Sequence, residues 1–155
     1  AVNTGQVVDN AITYTAQAYA SGSVSTPGGV GNRKYDLAQF TTTPKAAAVA
    51  RVSGSFDLQS NGRAAKSIYI CNSTGSVIYA VANVEVSTRS GVIDGATGQL
   101  VSSDGYYYGR GFIDVSIDLP GGVAANISLG VAGPIVTGAQ ETVSNRRITA
   151  LITYK

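Results

Sequence analysis

Histidine is absent from this chain of 155 residues, and so are methionine and tryptophan, while cysteine occurs once, at Cys71. Without histidine there is no Ser-His or Cys-His nucleophile system, and the commonest metal ligand is missing. A lone cysteine forms no intrachain disulfide and builds no zinc site of the usual kinds. Charge is scarce as well, at 13% of residues, and the net charge is only +2. The cations are scattered, with Arg33-Lys34 and Arg146-Arg147 as adjacent pairs read as solvated strand ends, so no nucleic-acid footprint stands out. No apolar run approaches the ~18 residues of a spanning helix, which argues against membrane insertion.

What is present is 19 glycines, abundant Ser and Thr, and recurring Val, Ile, Thr and Tyr. Strands favour the last four residue types, and turns favour the first three. The expected fold is therefore all-β, an antiparallel β-sandwich or jelly roll of roughly eight to ten short strands. Residues 1–10 form the expected flexible N-terminal arm, and residues 11–155 form a single domain, a size able to bury one core.

Alternation places the strands. Ile12, Tyr14, Ala16 and Ala18 share one face of the first; Ala50, Val52, Gly54 and Phe56 share the buried face of another. Residues 46–50 alone could also make a helical turn. Lys66 to Asn72 and Ser76 to Ser87 read as a hairpin about Ser73-Thr74-Gly75, the second strand covered on both sides in its apolar first half. The glycine-punctuated residues 90–105 read as a long irregular excursion. The clearest period-two signal is Ile113, Val115, Ile117 and Leu119 against Asp114, Ser116 and Asp118. Val123 to Val131 and Arg147 to Tyr154 complete the set.

Catalytic candidates are thin. Asp114 and Asp118 lie four residues apart on one strand, about 13 Å at ~3.3 Å per residue, beyond the ~5–9.5 Å between paired glycosidase acids. Asp94 and Asp104 are the sole thin calcium candidate. The Gly28-Gly29-Val30-Gly31 loop lacks the lysine and the strand-to-helix setting of a phosphate loop. No catalytic residue, metal site or cofactor is expected, and the chain does not read as an enzyme.

One stretch leans toward binding. Tyr106-Tyr107-Tyr108, followed by Gly109 and Arg110, concentrates large, rigid side chains with polar tips. On a strand at least one of these rings points inward, so the same residues also read as one core tyrosine and two covering a neighbour. The arm offers Val7, Val8 and Ile12 as a second contact element, able to add to a neighbour's sheet.

Residues 5–13, GQVVDNAIT, and 16–24, AQAYASGSV, resemble the linker and first strand of C-terminal domains in bacteriophage tail-tip and tail-fibre proteins. The closing NRRITALITYK is similar to the last strand of the same domains, and Ile117-Asp118-Leu119-Pro120-Gly121-Gly122 resembles jelly-roll spike proteins of small phages. The terminal motifs cover about a fifth of the chain, and the phage domains close much longer proteins. The resemblance implies a virion surface protein that forms a homo-oligomer, contacts other virion proteins and touches a host receptor or glycan. The competing classes are a secreted pilus subunit assembling by donor-strand exchange, and a carbohydrate-binding β-sandwich module.

Overall fold

The computed structural model describes residues 13–25, 33–60, 66–84, 88–93, 95–132 and 141–155. The arm with Val7, Val8 and Ile12, the 28–31 loop and Asp94 lie outside the described residues. Among the described residues ten strands form in chain order: β1 Thr13–Ala20, β2 Val24–Ser25, β3 Arg33–Thr42, β4 Ala48–Ser60, β5 Lys66–Cys71, β6 Ile78–Val84, β7 Thr88–Ile93, β8 Leu100–Leu119, β9 Ala125–Ala132 and β10 Glu141–Tyr154. All pairings are antiparallel, and the described residues contain no helix long and apolar enough to cross a membrane.

The larger sheet runs β1-β10-β4-β8-β7, with β2 continuing the line of β1 along β10; the smaller runs β3-β9-β5-β6. Four pairings nest inside one another along the chain: β1 with β10, β3 with β9, β4 with β8, and β5 with β6. Successive nested pairs fall in alternate sheets. A long antiparallel ribbon rolled in this way is a jelly roll, the all-β architecture expected from the alternation.

The core lies between the sheets. Phe56, Leu58, Ile148 and Ile152 come from the larger sheet and Leu37, Ile68, Ile127 and Leu129 from the smaller, all fully buried. The buried parity of β4 and β8 is the one that their alternation predicts. Gly54 lets the layers close: a Cβ there would stand 2.6 Å from Leu129 Cδ1 and 3.0 Å from Ile70 Cδ1. Cys71 is a buried free thiol, and burial pushes its pKa up to about 11. Its Sγ contacts the Ser128 carbonyl at 3.7 Å, consistent with a small apolar filler.

Four expectations need correction. Residues 48–50 open a strand, not a helical turn, because Ala48 and Ala50 are buried at alternating positions. The stretch expected to be irregular forms β7 and the first part of a 20-residue β8, turning at residues 95–97, with Gly98 at φ 71°. Ladder pairing such as Gly91↔Ser103 supplies the regularity that the composition conceals. Strand β6 is not covered on both faces: it ends the smaller sheet among the described residues, and Ile78 and Val81 are exposed. Arg146 is not solvated; it sits part-buried and donates through Nη1 to the Leu37 carbonyl at 2.9 Å, linking the sheets.

Candidate functional site

A hollow of about 350 Å³ opens on the outer face of the larger sheet, on neighbouring strands β1, β10, β4 and β8. Register explains it. Tyr19 pairs with Arg147, Arg147 with Ser55, and Ser55 with Phe112, so these four residues form one row across the strands. Large side chains stand at both ends of the row, and a serine lies between them. The short residue makes the floor and the aromatics make the walls. Tyr19 is 56% exposed and Phe112 62% exposed, so among the described residues both rings stand largely open.

A break in β10 aims the next row. Ser144 faces Asp57 and Arg147 faces Ser55, leaving Asn145 and Arg146 together opposite Phe56. This is a β-bulge, and Asn145 takes φ 49°, a left-handed conformation that asparagine tolerates better than most residues. The extra residue sends Asn145 to the outer face while Arg146 turns inward. Asn145 Nδ2 then donates to Asp57 Oδ2 at 2.7 Å, and Tyr19 Oη donates to Asn145 Oδ1 at 3.3 Å. Arg110 Nε donates to Asp57 Oδ1 at 2.9 Å. A continuous polar chain thus links all four strands.

Partial burial pushes the Asp57 carboxyl upward, but the Asn145 and Arg110 hydrogen bonds and the Arg110 charge outweigh it and hold the group below its ordinary 3.8. Asp57 is therefore ionised at neutral pH. Arg147 lies over the Tyr19 ring at 5.0 Å from its centroid, a cation–π contact worth about 0.5–1 kcal/mol at exposed sites. The hollow thus presents two guanidinium groups, one carboxylate, one amide and two aromatic faces. A single carboxylate does not supply the acid and base pair of glycoside hydrolysis.

Of the residues singled out from the sequence, Arg110 lines this hollow. Tyr108 joins Arg110, Asp57, Gln59 and Ser144 around an adjoining hollow of about 450 Å³. The two depressions share Asp57 and Arg110. Tyr107 packs inward against the core, and Tyr106 is half-buried and lines neither hollow. Asp114 and Asp118 stand on the exposed face, with Asp118 3.1 Å from Lys155 Nζ. Among the described residues no three His, Cys, Asp or Glu side chains cluster as a metal site.

Sequence reading missed Tyr19, Asp57, Phe112 and Asn145. Two signals for them were present. Phe112 carries an aromatic at the parity that Arg110, Asp114, Ser116 and Asp118 assign to water. Val143 and Ile148, both buried, are five apart, an odd spacing that a regular strand cannot put on one face.

No protein-family model matches the chain, and no curated protein matches it. Among solved structures it is similar to the VP2 subviral particle of infectious bursal disease virus, with 9% identity, a TM-score of 0.42, and coverage of 91% of this chain and 33% of that one. A similar match is the structure of the Gx strain of the same virus, with 11% identity, a TM-score of 0.44, and coverage of 91% and 32%. The chain spans about a third of the length of these proteins. At this identity and superposition the likeness is one of sheet arrangement and carries nothing about binding or chemistry.

Proposed function

We propose that the chain is a non-enzymatic structural subunit of a virion surface, a phage tail, fibre, spike or capsid component. It assembles with copies of itself and with other virion proteins, and it presents the outer face of its larger sheet to the host. The observation that carries this reading is the edge strand β6. Residues 76–84 contain no charged residue and no proline, the usual guards against strand-to-strand association. Val77, Ile78 and Val81 are nonetheless exposed, Val81 at 54%. An uncharged apolar edge is compatible with its own copy, because identical surfaces meet there without like-charge conflict.

The jelly-roll wrapping agrees with this reading, since viral capsid domains and lectins share it, although fold alone does not fix function. The resemblance of residues 5–24 and 145–155 to phage tail domains supplies the virion context. A carbohydrate-binding module is the second reading, favoured by the aromatic-walled hollow.

Light scattering across a dilution series tests the assembly role. The expected result is a closed oligomer of fixed mass, with Val81→Lys shifted toward monomer and unchanged in its circular dichroism. A protein that stays monomeric at every concentration, with Val81→Lys indistinguishable from it, defeats the proposal.

A further inference from the structure

We infer that the outer-face hollow between Tyr19 and Phe112 binds a short sugar chain carrying a carboxylate. This rests on the recognition role proposed for that face and names its ligand.

The floor of the hollow disfavours an extended peptide. Strands β10 and β4 pair on both sides at Arg147 and Ser55, so their backbone groups are used in ladders and only side chains face a ligand there. Strand addition needs an open backbone edge, which these two central strands do not offer. The side chains present are those that suit a polyhydroxylated ring. Phe112 and Tyr19 offer exposed aromatic faces to the apolar C–H side of a sugar, and Asn145, Asp57 and Ser55 can pair with its hydroxyls. The row from Tyr19 to Phe112 spans three strand spacings, about 14 Å, and the adjoining hollow lengthens the depression beyond the Asp57–Arg110 pair. A chain of linked rings fits that length better than one ring.

Charge selects the acidic kind of sugar. Two guanidinium groups face one carboxylate, leaving one positive charge in excess. Arg110 spends its Nε on Asp57 while its side chain remains 77% exposed, and the Arg147 guanidinium lies over the Tyr19 ring. Planar guanidinium groups oriented in advance recognise carboxylates by paired hydrogen bonds. The bulge adds a second sign of a prepared site. Asn145 keeps a left-handed backbone, which costs free energy in a non-glycine residue, and its amide is thereby fixed between Tyr19 and Asp57. Fixing the polar groups before the ligand arrives lowers the entropy cost of binding.

Titration of the full chain with digalacturonate, followed by backbone amide NMR shifts, tests the inference; 3′-sialyllactose serves as a second carboxylate sugar. Saturable shifts are expected at residues 19, 55–57, 110–112 and 145–147. The methyl ester of digalacturonate should bind at least about tenfold more weakly, as should Arg147→Gln. Phe112→Ala should lose binding and keep an otherwise native spectrum, because the ring is already exposed. The inference is overturned if neither acid sugar produces saturable shifts there, or if sodium sulfate reproduces them and Phe112→Ala leaves them intact. Failure here leaves the oligomer mass and its Val81→Lys response unaltered, so the assembly reading stands or falls separately.

Discussion

Two ion pairs of this molecule live under opposite conditions. Lys66 on β5 and Glu141 on β10 meet inside the sandwich, both buried, joining the smaller sheet to the larger, with Ser60 Oγ donating to Glu141 Oε1 at 3.4 Å. Arg110 and Asp57 meet on the outer face, with Arg110 largely in water. The buried pair has given up its hydration, so losing one partner is costly; the outer pair keeps most of its hydration and contributes little to folding. One pair constrains how the sheets stack, and the other is available to a ligand.

Breaking the buried pair should have the largest effect. Lys66→Met takes the ammonium partner away from the buried Glu141 carboxyl, and a loss of about 3–5 kcal/mol in urea unfolding is expected. Lys66→Met combined with Glu141→Leu should recover much of that loss, because the buried carboxyl is removed together with its ammonium partner. If the single and double variants lose equally, packing rather than charge holds this end together.

The outer pair should respond far less. Arg110→Ala is expected to cost under about 1 kcal/mol in the same measurement. The Asp57 carboxyl adds a small pH signature whose sign follows from its lowered pKa. Its stabilisation is complete above the ordinary value of 3.8 and is lost as pH falls below that value through the folded one. Asp57→Asn should therefore flatten the acid limb of stability below pH 3.8. An unchanged limb would mean that Asn145 and Arg110 do not hold the carboxylate in solution.

The legible part of this fold was the part written in local alternation. Ile113 to Leu119 and Ala50 to Phe56 declared their buried faces because one side of each strand meets the core and the other meets water. Strand β7 and the first part of β8 were hidden because glycine and serine carry weak local preference, and their order comes from the ladder between them. For β6, apolar residues at both parities signified an edge left open among the described residues, whereas double coverage gives the same pattern; sequence alone does not separate the two. The hollow was illegible for a different reason. Its residues lie at 19, 57, 110, 112, 145 and 147, brought into adjacent rows by register across four strands. Arg110 was found because it follows a tyrosine run, and Tyr107 turned out to serve the core.

The nested pairing also sets an order in time. β5 and β6 are joined by a short turn in which Gly75 N–H donates to the Asn72 carbonyl at 3.1 Å, so their contact closes a small loop. β1 and β10 enclose nearly the whole described chain, and closing so long a loop costs the most entropy. Folding should therefore zip from the innermost hairpin outward, slowly for the chain's size. Pulse-labelled hydrogen exchange should find β5 and β6 protected first, and the row from Tyr19 to Phe112 complete only when the last strand docks. The binding face is then the last surface to exist, and an incompletely folded chain has no site to offer.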